Sequence, residues 1–144
     1  MPKIVTDTCV FIRLRGIYEE AYHCFLKSND VICTTKEIIN ECQGRARASK
    51  MFHIPAFIND LKQKKKLKIL GQSYVVARVK RQENVRTFHY PNDAKDIKFV
   101  KVAIAAKAKY LISNDPSILN LNSNRYNGEK TDNITPSTYI EKNC

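Results

Sequence analysis

Four carboxylates, Asp7, Glu41, Asp96 and Asp115, stand at the edges of stretches that should be regular structure, separated by 34, 55 and 19 residues. Asp7 closes the short β-branched run "KIVT", and Asp115 follows the apolar run "YLIS" with one Asn between. Each acid has a local explanation: a turn for Asp7, a helix cap for Asp96 and Asp115, a solvated helix face for Glu41. Their joint placement has none. Four carboxylates on one rim would repel and raise one another's pKa. In a chain whose net charge is +11, such a cluster calls for a cation. An all-oxygen donor set suits Mg²⁺ or Mn²⁺, one ion or two, and such ions activate water and neutralise the charge that builds on a phosphodiester under attack.

The elements that must position these acids follow from periodicity. "KIVT" from Lys3 reads as a first strand, and Ile17, Ala21, Cys24 and Phe25 recur at helical spacing after it. "VICT" is a second buried strand. "TTKEIINEC" then opens a helix with a capping-box pattern, Thr34 with Glu37 three residues on, which leaves Glu41 one turn further along without a structural task. The stretch from Arg45 to Lys66 reads as helix broken near Pro55, and "LKILG" as a third strand. From Gln72 to Tyr90, helix and extended chain remain equally open. Asn92 or Asp93 can cap a helix through Val100, Ala103 and Ile104, with Asp96 in its first turn and "YLIS" as a fourth strand after it. "NITPSTYIEKN" suggests a last short strand and a terminal helix capped by Thr135, with Pro136 at its first position. No repeat or linker appears, so residues 1–144 are expected to form a single α/β domain with a mostly parallel sheet of four to five strands. Ligands of such sheets bind beyond the carboxyl ends of the strands. All four acids reach that rim if the first strand lies between the second and the fourth.

Composition narrows the class. Hydrophobic residues make up 43% with only 4 Gly, which excludes a fibrous or disordered chain. No apolar run reaches the ~20 residues of a membrane span, and "MPKIVTDTCV" lacks a secretory signal's apolar core, so a cytoplasmic protein with no membrane partner is expected. The five cysteines follow no zinc spacing and are expected to be reduced thiols. Between Arg45 and Arg86 twelve basic residues face only Asp60 and Glu83, a +10 segment suited to a polyanion such as nucleic acid. The run "KQKKKLK" alone is equally consistent with a solubilising face.

On these residues the chain resembles the PIN-domain ribonucleases, the nuclease fold of VapC-type toxins and RNA-processing proteins. "IVTDTCVFI", "TTKEIINEC" and "DAKDIKFVKVAIAAKAKYLISND" look like the family's three motif blocks, and "ITPSTYI" like its Thr-Pro segment before the last helix. The resemblance implies a three-layer α/β/α fold and a metal-dependent endoribonuclease in which Asp7, Glu41, Asp96 and Asp115 are both catalytic and metal-binding. Ser113 would be the family's small hydroxyl residue before the last acid, and Asp93 an additional or outer acid. Cys9 departs from the Asn or Ser usual two residues after the first acid. The resemblance further implies RNA as partner, an antitoxin protein if the chain is a toxin, and a homodimer, for which Met51, Phe52, Ile54, Phe57 and Ile58 offer an apolar surplus. Two other readings are a non-catalytic PIN-like RNA-binding module and a flavodoxin-like receiver or nucleotide-binding domain. The last leaves Glu41 and Asp96 unexplained and has no glycine-rich phosphate loop.

Overall fold

Short β-branched runs alternating with amphipathic stretches become strands and helices in the computed structural model, which describes residues Met1–Cys144. The strands are β1 (Lys3–Thr6), β2 (Val31–Thr35), β3 (Leu67–Leu70), β4 (Tyr110–Ile112), β5 (Asn124–Arg125) and β6 (Lys130–Ile134). The helices are α1 (Thr8–Ile12), α2 (Glu19–Lys27), α3 (Lys36–Ala48), α4 (Ile54–Gln63), α5 (Gln72–Glu83), α6 (Ile97–Ala106), α7 (Pro116–Leu119) and α8 (Pro136–Asn143), with a 3₁₀ turn at Ala94–Asp96 before α6. The sheet order is β3-β2-β1-β4-β6-β5, so β1 does lie between β2 and β4. Five strands are parallel, and the two-residue β5 pairs antiparallel with β6 at the edge. The sheet thus has six strands rather than four or five. The sixth is too short to leave an alternating pattern.

Helices cover both faces, as a parallel sheet requires. On one side α6 packs against β1, β2 and β4 and carries α5 outside it. On the other, Ile4, Ile32 and Ile112 of the sheet meet Ala21 and Phe25 of α2 and Tyr139 of α8. Phe57 of α4 joins this layer, its ring centroid 5.4 Å from that of Phe11 and 5.3 Å from that of Tyr22. The buried apolar residues form one contiguous cluster from Ile4 to Tyr139.

Several expectations need correction. The cap of α3 is Thr35, not Thr34; its hydroxyl accepts from the Ile38 amide, so Glu37 closes no capping box. Residues 72–83 are helical although only Val75 and Val79 of α5 are buried, too few to reveal the period. Cys24 and Cys144 are disulfide-bonded, their Cα atoms 5.9 Å apart, which overturns the expectation of five reduced thiols. Ile54, Phe57 and Ile58 are core, Met51 is half-buried, and only Phe52 stands exposed at 74%, so the apolar surplus expected to form a dimer contact is mostly consumed inside the molecule. The lysine run is partly structural as well. Lys66 donates to the Ser28 carbonyl at 2.8 Å and lies over the Phe25 ring, while Lys64 pairs with Asp60 at 3.0 Å.

Candidate active site

Register assembles the centre of the site. In the β1–β4 pairing Thr6 stands opposite Ile112, so the next residues, Asp7 and Ser113, leave the sheet side by side at its carboxyl end. The Asp7 amide still donates to the Ile112 carbonyl, at 3.1 Å. Its side chain caps α1: Oδ1 accepts from the Val10 amide at 2.8 Å, while Oδ2 accepts from Ser113 Oγ at 2.5 Å. Ser113 is fully buried and its Oγ also accepts from the Asp115 amide at 2.9 Å. One hydroxyl therefore ties the first acid to the backbone of the last, a charge-assisted link that holds the rim in register.

Asp115 caps the four-residue α7, with Oδ1 accepting from the Ser117 amide at 2.9 Å. The same serine turns its hydroxyl to Asp96, donating to Oδ2 at 2.7 Å. Asp96 stands at the N-cap position of α6 yet makes no capping hydrogen bond; the preceding 3₁₀ turn is capped instead by Asp93, which accepts from the Lys95 amide at 3.2 Å. The capping explanation therefore holds for Asp115 and fails for Asp96, while Asp7, expected only to end a strand in a turn, caps a helix as well. Asp96 is only 6% exposed and its carboxylate stands close to that of Asp115. Burial, then the Asp115 charge, push the Asp96 carboxyl up, against the bond from Ser117. The Ser117 amide holds Asp115 down. Asp7, also 6% exposed, is pushed up by burial first; its bonds from Ser113 and Val10 oppose this, and the charges of Asp96 and Asp115 add to it.

Glu41 comes from α3 and is held differently. Thr8 Oγ1 donates to its Oε1 at 2.8 Å, and Lys98 of α6 forms an ion pair with its Oε2. Burial alone would raise its pKa, but the bonds from Lys98 and Thr8, together with the charges of Lys98 and Arg45, outweigh burial and hold it below the usual carboxylate range.

Asp7, Glu41, Asp96 and Asp115 all line one open cleft of about 670 Å³, together with Arg45 and Lys95. Asp93 does not line it; its carboxylate lies 3.6 Å from Lys95 Nζ. Cys9 lines the cleft as an exposed free thiol. No three His, Cys, Asp or Glu side chains stand together as a ready-made set of metal ligands. The close pair is Asp96 and Asp115, with Asp7 joined to it through Ser113. Their donors are all carboxylate oxygens whose mutual repulsion a hard cation would relieve, so the residues fit such an ion chemically. Glu41 could join only by exchanging Lys98 for it.

Sequence reasoning missed Thr8, Lys98 and Ser117. Thr8 adjoins Asp7, and Ser117 follows Asp115 at capping distance, so both carried a faint local signal. Lys98 lies 57 residues from its partner Glu41 and carried none. No family model, no curated protein and no solved structure matches this chain.

Proposed function

We propose that the chain is a metal-dependent endoribonuclease of PIN type, acting in the cytoplasm as a VapC-like toxin or an RNA-processing enzyme. One observation carries the reading. Asp96 is a buried carboxylate with no capping bond, turned toward a second carboxylate and pushed toward its neutral form, an arrangement that destabilises the empty site and would be relieved by a cation. Asp7, Asp96 and Asp115 would hold Mg²⁺ or Mn²⁺, with Glu41 the fourth acid. The ion, one or two, would supply an activated water and neutralise charge on the scissile phosphate.

The chain's own residues would do the rest. Ser113 and Ser117 fix the carboxylate orientations; Arg45 and Lys95, at the cleft wall, would bind the RNA phosphates and hold one in reach of the acids. The basic segment from Arg45 to Arg86 would extend phosphate binding beyond the cleft, reduced by the lysines that are committed to Ser28 and Asp60. A homodimer and an antitoxin partner belong to this reading through the resemblance alone.

The test is RNA cleavage with Mg²⁺ or Mn²⁺ and after thorough EDTA treatment, for the parent chain and Asp96→Asn. Asn preserves volume and removes the charge, so cleavage should fall at least about a hundredfold while the melting temperature holds or rises. Parent activity that survives EDTA would refute the metal mechanism. The Lys98–Glu41 pair and the lack of a ready-made ligand set favour a second reading, a PIN-like module that binds RNA without cutting it. That reading expects RNA binding insensitive to divalent ions and no cleavage under any condition.

A further inference from the structure

The end of the sheet opposite the acid cleft is basic. Lys3 begins β1, Lys109 immediately precedes β4 and Lys130 begins β6, and the parallel pairing sets these three strand starts side by side. The Lys109 amide donates to the Lys3 carbonyl at 2.7 Å, and the Asp132 amide to the Lys109 carbonyl at 3.0 Å. With Arg78 of α5 and Lys107 at the end of α6, these lysines line an open cavity of about 620 Å³ in which Glu129 is the one acidic residue. It shares no residue with the acid cleft.

The cations there are poorly neutralised from within. Lys109 reaches Asp30 at 3.6 Å and Lys130 reaches Asp132 at 3.4 Å, but Lys3, Arg78 and Lys107 form no ion pair. Arg78 is half-buried; its guanidinium lies over the Tyr74 ring, 5.6 Å from the centroid, and its buried Nε has no hydrogen-bond partner. Lys107 holds a left-handed backbone, φ 51°, where glycine would be less strained. Lys50 and Lys65 share that conformation, so at Lys107 it is the position on the cavity that matters. Gathering unpaired cations is unfavourable unless an anion joins them. The guanidinium fork and neighbouring ammonium groups match phosphate oxygens, and no aromatic ring lines the cavity to stack a base.

We propose that this cavity is a second, metal-independent anion site that takes clustered phosphate groups, either consecutive phosphodiesters of a nucleic-acid strand or the chain of a free polyphosphate. It stands or falls apart from the cleavage reading, because the acid cleft contributes nothing to it.

Binding is measured in EDTA with two probes, inorganic tripolyphosphate by calorimetry and a labelled single-stranded oligonucleotide by anisotropy. Three variants are compared with the parent chain: Lys3→Gln/Arg78→Gln/Lys107→Gln, the charge-matched Lys27→Gln/Lys36→Gln/Lys142→Gln at exposed lysines outside both the cavity and the Arg45–Arg86 segment, and Lys107→Gly. The cavity triple should bind tripolyphosphate at least about tenfold more weakly. If the site holds a nucleic-acid strand, its oligonucleotide log–log salt slope should also fall by about 2, roughly 0.7 per lost cation. The charge-matched control should bind as the parent does. Lys107→Gly separates charge from folding: it should melt higher, being relieved of strain, and still bind more weakly. Weakened tripolyphosphate binding with unchanged oligonucleotide binding assigns the site to a free phosphorylated ligand, and weakening of both assigns it to a strand. The proposal is overturned if neither probe binds the parent, if the cavity triple binds both probes like the parent, or if the charge-matched control loses as much.

Discussion

Lys98, beside the acid cleft, is the cation paired with Glu41, and replacing it by Met tests whether it competes with a metal ion for that carboxylate. Met keeps most of the side chain's length and removes the ammonium that pairs with Glu41 and lies over the Phe99 ring. The paired side chains are 24% and 31% exposed, so the interaction lies between two limits. Two unit charges about 4 Å apart attract by about 4 kcal/mol at an effective dielectric of about 20, while fully exposed pairs contribute about 0.2–1 kcal/mol. A net value of about 1–2 kcal/mol follows. Without metal, Lys98→Met should therefore lose that stability and melt lower by about 2–4 °C for each kcal/mol. With Mn²⁺, the freed Glu41 no longer has to be released from Lys98, so the ion should bind about 5–30-fold more tightly. The assay is thermal unfolding across a Mn²⁺ titration, with calorimetry for affinity and the Glu41→Gln/Lys98→Met double variant closing the cycle. Saturating ion at about 100 times its dissociation constant adds about 2.7 kcal/mol, well above the resolution of a melting curve. If Mn²⁺ raises the melting temperature of Lys98→Met no more than that of the parent at every concentration, Lys98 does not guard a metal site.

Asp7→Asn should raise stability at neutral pH by about 1 kcal/mol, since Asn removes the buried charge while its carbonyl oxygen still accepts from the Val10 amide and its NH₂ group donates to Ser113 Oγ in a reversed bond. Because the folded Asp7 pKa is raised, its contribution is fully present below the unfolded-state value and is lost as pH rises through the folded one; urea melts across that range should show a smaller loss of stability in Asp7→Asn than in the parent, the part due to Asp96 remaining in both. Ser113→Ala removes a fully buried hydroxyl from both Asp7 and the Asp115 amide, and should cost about 1–3 kcal/mol in chemical denaturation; a cost below about 0.5 kcal/mol would mean that the bridge does not organise the rim. In native protein a thiol reagent should titrate one cysteine, the exposed Cys9, and three after denaturation without reductant, when Cys33 and Cys42 open; five would show that Cys24 and Cys144 are not bonded.

What the sequence determined by itself was what local chemistry can encode. β1 begins at Lys3, Thr135 caps a helix with Pro136 in its first turn, and Asp115 caps α7, because strand runs and caps depend on neighbours a few residues away. The four acids could be selected and sent to one rim because alternating strands and helices fix the rim's chemistry in advance. α5 was illegible because its two buried valines leave too weak a period on a polar helix. The tertiary structure alone decided which acid is paired with a cation and which is left facing another carboxylate. Ser113 meets Asp7 across 106 residues, Lys98 meets Glu41 across 57, and Cys24 meets Cys144 across 120. The basic cavity joins Lys3, Arg78, Lys107 and Lys130, residues no single segment contains. Such contacts follow from strand order and register, which pattern constrains but only the packed sheet selects, since a shift of register would send each of these side chains to a different neighbour.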